Sequence, residues 1–211
     1  MILASASPRR RALLATLGLP VEVVPSGIEE PLLPGVAPSE LAVGLALAKA
    51  RDVARRAGPA VVLGADTLVV LDGRALGKPV SRADARAMLA ALAGRTHEVV
   101  TAVAVIALDG TAHVEAVTSR VLMRAYSPEE IEAYVATGES DDKAGGYAVQ
   151  GDGGHLVARV EGCYTNVVGL PVRAVTRLLR QAGVALAPPP DVGPSGSVRS
   201  DTPPSGQGSA G

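Results

Sequence analysis

Val61-Val62-Leu63-Gly64-Ala65-Asp66-Thr67-Leu68-Val69-Val70-Leu71-Asp72-Gly73 is the stretch that decides how the chain is read. Leucine and β-branched residues fill it, and it ends on Asp-Gly, which favours a tight hairpin turn. Two strand-like runs, residues 60–65 and 68–71, flank the polar pair Asp66-Thr67, so a carboxylate and a hydroxyl are expected where a strand ends. Downstream, residues 98–108 and 112–123 form two further strand-like runs joined at Asp109-Gly110, a second hairpin signal. Residues 1–4, 21–24 and 156–160 supply shorter ones. Helices are expected between them. Ser7-Pro8 opens one that stops at Gly18, Ser39 opens a long amphipathic one that carries Lys49 and ends before Gly58, and Ser81 with Asp84 opens a third. Ser127-Pro128-Glu129-Glu130 has the residues of a capping box, and residues 170–181 form a last helix. Residues 141–154 are glycine-rich and polar, as a loop would be. Interleaved helices, hairpins and single strands give an α/β fold with a mixed β-sheet flanked by helices.

Composition narrows the function. The chain has 211 residues, 47% of them hydrophobic and 19% charged, enough for one compact core or two closely fused lobes. Aromatic residues make up only 2%, with no Phe or Trp, which argues against stacking platforms for single-stranded nucleic acid. A formal net charge of −1 offers no field to recruit a polyanionic backbone, which speaks against a nucleic acid partner. Cys163 is the single cysteine, so neither an internal disulfide nor a cysteine-rich zinc site can form, and a buried, inert thiol is expected. The basic run Arg9-Arg10-Arg11 follows a very short apolar start, the reverse of a signal peptide, and the apolar runs are too short or too interrupted to span a membrane. A soluble, cytoplasmic protein is expected. From Ala187 onward Pro, Gly and Ser dominate, so one domain over residues 1–186 and a disordered, dispensable tail over 187–211 are expected.

Four polar clusters interrupt the hydrophobic pattern. In residues 5–11, Ser-Ala-Ser-Pro-Arg-Arg-Arg, two hydroxyls and a set of guanidiniums meet a helix N-terminus, an arrangement that suits phosphate oxygens, although taken alone a capped helix with solvated arginines is the commoner reading. Asp66-Thr67 suits a hard cation or a proton acceptor, and also a turn aspartate bonding its own backbone. Lys78, within Gly77-Lys78-Pro79, suits phosphate neutralisation or an exposed loop. In residues 142–151 the glycines admit a ligand close to the backbone, Lys143 adds charge, and the Gln150 amide offers both a donor and an acceptor to a base edge. The spacing is neither that of a Walker loop nor that of a dinucleotide fingerprint. His97, His113 and His155 are scattered without metal-ligand spacing.

Taken in order, LASASPRR (3–10), GADTLVV (64–70), GKP (77–79), GRTHEVVTAV (94–103), DKAGGYAVQG (142–151) and NVVGLPV (166–172) resemble the Maf family of nucleotide pyrophosphatases from Ile2 to about Gln181. The resemblance implies a deep cleft between two lobes, a shape related to inosine triphosphate pyrophosphatases, and a divalent cation, Mg²⁺ or Mn²⁺. By motif position it implies Asp66 as the catalytic proton acceptor and a metal-site residue, with Glu30 as the acidic group near the metal. Ser7, Arg9, Arg10, Lys49, Lys78 and Lys143 match the phosphate-facing set, and Arg9, Thr67 and Gln150 the positions linked to base choice. The forms SPRR and VQG are similar to the branch acting on dTTP and UTP. The wording departs from the commonest form at the pair before Lys143 and at the second glycine after it. The resemblance allows a homodimer and a part in arresting septum formation. The competing reading is a nucleotide-binding regulator of cell division with little turnover.

Overall fold

The computed structural model describes residues 1–31, 33 and 35–186; the segment 187–211, read above as a disordered tail, lies outside the described residues. At the centre is β3 (Val62–Leu71), buried along nearly its whole length. It pairs antiparallel with β5 (Thr96–Ile106) in an uninterrupted register that sets Asp66 opposite Ala102 and Thr67 opposite Thr101. The two runs expected from sequence are therefore one ten-residue strand, and Asp66 stands in its middle rather than at a strand end or in a turn. Continuous ladder pairing on one edge and apolar burial on both sides of the polar pair hold it extended.

The sheet runs β2 (Glu22–Val23), β1 (Ile2–Leu3), β3, β5, β6 (Ala112–Met123), β7 (Val157–Glu161), with β4 (Arg74–Leu76) folded back on β3. β1 is parallel to β2 and β3, and the other pairings are antiparallel, so the sheet is mixed as expected. On the edge of β3 away from β5, β1 pairs with Val62 and Leu63 and β4 with Val69, Val70 and Leu71. Among the described residues, no strand covers positions 64–68 on that edge.

Helices cover both faces. α2 (Pro38–Ala57) lays Leu41, Leu45, Ala46, Ala50 and Val53 on Val62, Leu68, Val70 and Ala102. It begins at Pro38 with Ala37 in the cap position and no side-chain cap, so Ser39 lies inside the first turn rather than opening the helix. Proline's fixed φ suits that place. Gly64 lets the helix lie directly on the strand: a Cβ there would stand 2.4 Å from the Ala46 carbonyl oxygen and 2.8 Å from the Ala50 nitrogen. The opposite face carries two separate clusters. Leu63 and Ala65 pack with Leu14 of α1 (Pro8–Ala15) and with Val175, Leu178 and Leu179 of α6 (Val172–Gln181). Val69 and Leu71 pack with Leu89 and Leu92 of α3 (Arg82–Leu92), and with Ile131 and Val135 of α4 (Pro128–Ala136), whose capping box forms as expected. Thr67 falls between the two clusters.

The helix expected over residues 170–181 is α6, which starts at Val172 with Pro171 in the cap position, and a short helix that the sequence did not announce, α5 (Tyr164–Val168), precedes it and ends at left-handed Gly169. The glycine-rich segment is a series of 3₁₀ turns at Glu139–Asp142, Ala144–Gly146 and Gly151–Leu156. Cys163 is partly exposed rather than buried, since it sits at the start of α5 on the rim of the sheet. No described helix is long and apolar enough to cross a membrane.

Candidate active site

Where the edge of β3 lies open, a cleft of about 660 Å³ enters the molecule. Period-two alternation sends Asp66 toward α2 and Thr67 to the other face, yet both line the cleft because it enters through the uncovered edge. Because Gly64 admits α2 so closely, the Lys49 ammonium reaches Asp66 Oδ1 at 2.6 Å. The same ammonium lies 2.7 Å from Glu30 Oε1, and Lys78 stands 3.3 Å from Glu30 Oε2. Lys49 and Asp66 are both buried, whereas Glu30 and Lys78 are exposed. Burial pushes the Glu30 carboxyl up, but the hydrogen bonds and charges of Lys49 and Lys78 together outweigh it and hold the group below the ordinary carboxylate range. Asp66 Oδ2 is buried without a hydrogen-bond partner among the described residues.

The start of α1 forms a second wall. Ser7 caps the helix, its Oγ accepting from the Arg10 amide, and Arg9 lines the cleft. Arg10 is tied inward: Nε donates to the Gly169 carbonyl at 2.9 Å, Nη1 to the Ala65 carbonyl at 2.8 Å and to Ser5 Oγ at 3.2 Å, and Nη2 to Thr67 Oγ1 at 3.0 Å. It thereby satisfies a carbonyl on the open edge of β3, and little of its donor capacity is left for a ligand. Desolvation by burial lowers its basicity despite nearby Asp66 and Glu30. The third wall is the glycine-rich segment, where Lys143 is paired to its neighbour Asp142 and Gln150 is exposed at the rim. The Gly145 amide donates to the Gly77 carbonyl at 2.9 Å, tying this segment to the Lys78 loop.

A family model described as Maf-like protein matches residues 1–182. The chain belongs to the Maf family. A dTTP/UTP pyrophosphatase of Moorella thermoacetica is 55% identical over 185 residues, covering 87% of this chain and 95% of that one. A dTTP/UTP pyrophosphatase of Thermomicrobium roseum is 51% identical, covering 90% and 87%, and one of Geotalea uraniireducens is 48% identical, covering 87% and 95%. A solved nucleoside-triphosphatase / dITP/XTP pyrophosphatase of Mycobacterium abscessus aligns at a TM-score of 0.39 and 19% identity, over 65% of this chain and 93% of that one.

In this Maf protein the residues singled out from sequence, Ser7, Arg9, Arg10, Glu30, Lys49, Asp66, Thr67, Lys78, Lys143 and Gln150, all line the one cleft. Sequence reading missed Thr101 and Asn166, polar side chains with no exposure beneath Thr67, and Glu139, which accepts from the Gly153 amide at 2.8 Å. The alternation of β5 could have flagged Thr101, a polar residue in a run of Val and Ala. Among the described residues no group of three or more His, Cys, Asp or Glu is placed to hold a metal. Asp66 and Glu30, joined through Lys49, with one unpartnered Asp66 oxygen, nevertheless suit Mg²⁺ or Mn²⁺, which commonly takes one or two carboxylates and completes its shell with water and substrate phosphates.

Proposed function

We infer that this chain is a nucleoside triphosphate pyrophosphatase that hydrolyses dTTP, UTP or related modified nucleotides to the monophosphate and pyrophosphate. The observation that carries the reading is Asp66, a buried carboxylate in the middle of a core strand, with Oδ1 on Lys49 and Oδ2 unpartnered at a cleft. Packing gives no reason for it, and burying such a group without need is costly. The names of the Moorella, Thermomicrobium and Geotalea relatives supply the substrate.

In the reaction, water attacks the α-phosphorus, the bond from that phosphorus to the α–β bridging oxygen breaks, and pyrophosphate leaves. Asp66 orients the water and accepts its proton. Lys49 fixes the Asp66 carboxylate through Oδ1, which leaves Oδ2 for that task. Arg9, Lys78, Lys143 and the N-terminus of α1 at Ser7 hold the phosphates and stabilise charge on departing pyrophosphate. Arg10 braces the wall between Ser5, Ala65, Thr67 and Gly169. Asp66 and Glu30 are the residues that would hold a divalent cation, which would supply charge neutralisation on the polyphosphate. Arg9, Thr67 and Gln150 face the base. The activity suits removal of noncanonical nucleotides in the cytoplasm before polymerases use them.

The test is a panel of nucleoside triphosphates with Mg²⁺ or Mn²⁺ and products resolved chromatographically, for the native chain and Asp66→Asn. Monophosphate and pyrophosphate from dTTP and UTP are expected. The variant should lose about 10²–10⁴-fold in single-turnover release while still binding dTTP. Release of inorganic phosphate alone, or near-normal turnover by the variant, would overturn the reading.

A further inference from the structure

The hydroxyl hydrogens beneath the cleft can be assigned by counting. Thr101, with no exposure, directs its hydroxyl to the Asn166 carbonyl oxygen at 2.9 Å. A carbonyl only accepts, and a threonine hydroxyl has a single hydrogen. The 3.0 Å contact between Thr67 Oγ1 and Thr101 Oγ1 is therefore donated by Thr67. Thr67 Oγ1 also accepts from Arg10 Nη2 at 3.0 Å. Its hydrogen points inward and one lone pair is occupied, so it faces the cleft with one lone pair and no donor. The chain of bonds is anchored, because the Asn166 amide nitrogen donates to the Val99 carbonyl and to Ser119 Oγ, each at 2.9 Å. Gly169 lies beside this oxygen and also lines the cleft: a Cβ there would stand in contact with Thr67 Oγ1 at 3.5 Å, on a backbone at φ +117°.

We propose that Thr101 is a positioning residue that fixes Thr67 as a pure hydrogen-bond acceptor, so that the cleft selects bases carrying a ring N–H, the N3–H of uracil and thymine, over cytosine, whose N3 carries no hydrogen. This rests on the reading of the cleft as a pyrimidine nucleotide site with Thr67 at the base. Against cytosine N3 the Thr67 oxygen meets a second acceptor with no hydrogen between them. A buried mismatch of that kind discriminates far more strongly than a missing methyl group does.

The experiment compares kcat/KM for UTP, CTP and N3-methyl-UTP in the native protein, Thr101→Val and Thr101→Ser, with melting temperature recorded for each. Native protein should favour UTP over both CTP and N3-methyl-UTP by about tenfold or more. Thr101→Val removes the inward acceptor and frees the Thr67 hydrogen to turn outward. Its kcat/KM for CTP should rise in absolute terms, a gain that a merely loosened structure would not give, and the UTP-to-CTP ratio should fall about tenfold. Thr101→Ser retains the hydroxyl and should keep the native ratio. Equal native turnover of UTP and N3-methyl-UTP would overturn the proposal without reference to any variant. So would an unchanged ratio in Thr101→Val, or a ratio lost equally in Thr101→Ser, which would mark a packing effect. Failure of the native protein to release pyrophosphate from UTP or dTTP would instead refute the functional reading beneath it.

Discussion

Replacing Lys49 by Met removes a charge from the interior while keeping the length and most of the volume of the side chain. Lys49 and Asp66 are 6% and 5% exposed, and their contact at 2.6 Å is the single hydrogen bond that Asp66 makes through Oδ1, with Oδ2 already unpartnered. Taking away one partner of such a pair leaves a bare buried charge, which costs about 3–5 kcal/mol. Glu30, 39% exposed, keeps Lys78 and reaches water, so its share of the loss is small. We therefore expect Lys49→Met to lose about 3 kcal/mol, or roughly 6–12 °C in melting temperature for a domain of this size. Asp66→Asn alone should cost only about 1 kcal/mol, because Lys49 retains Glu30 at 2.7 Å. Adding Asp66→Asn to Lys49→Met should then stabilise the variant, returning about 2 kcal/mol, since the orphaned charge is gone. Urea unfolding of the four proteins, with m-values held equal, gives the coupling directly. Losses that add to within about 0.5 kcal/mol would refute the view that Lys49 exists to neutralise Asp66.

Gln150→Glu replaces an amide donor at the rim with a charged acceptor, and should weaken dTTP and UTP by roughly 1–3 kcal/mol relative to GTP in kcat/KM; an unchanged dTTP-to-GTP ratio would remove Gln150 from base choice. Burial holds the His97 imidazole down to about 4, against 6.5 for the ordinary group. The unfolded chain therefore takes up a proton below pH 6.5 while the folded one does not. This stabilisation is complete above pH 6.5 and is lost as the pH falls toward 4, at about 1.4 kcal/mol per unit and some 3 kcal/mol in all. Denaturation midpoints from pH 7 to pH 4 should fall more steeply for the native chain than for His97→Phe, and parallel slopes would show that His97 is not the group responsible.

The fold was legible where local chemistry and tertiary packing agree. Ser81 and Ser127 cap the helices they were expected to cap, and the Asp109-Gly110 turn joins β5 and β6. It was less legible where packing overrides local preference. Asp66-Thr67 looks like an interruption in a window of single residues, but β5 pairs through it without a break. Pro38 displaced Ser39 at the head of α2, an effect of one backbone angle that apolar periodicity does not register, and α5, five residues ended by Gly169, is too short to show that periodicity. The residues that line the cleft were legible as motifs, but their partners were not. Nothing in the order of residues shows that Arg10, among three consecutive arginines, turns inward onto the Ala65 and Gly169 carbonyls while Arg9 lines the cleft.

The open edge of β3 explains how two adjacent residues that point to opposite faces reach one cleft. In a strand covered on both edges, Asp66 and Thr67 would face separate compartments, because consecutive side chains point to opposite faces. Here the pairing of β1 with β3 stops at Leu63 and that of β4 begins at Val69, and the stretch between them meets the cleft edge-on. On one face Gly64 brings α2 down on the strand, so that Lys49 reaches Asp66 Oδ1. On the other face the gap between two apolar clusters leaves Thr67 on a neutral hydroxyl relay through Thr101 to Asn166. Strong charge suits phosphate chemistry, and a neutral acceptor of fixed direction suits reading a base. The strand keeps them on opposite faces, so the Lys49–Asp66 ion pair is separated from the Thr67 hydroxyl although both line one cleft.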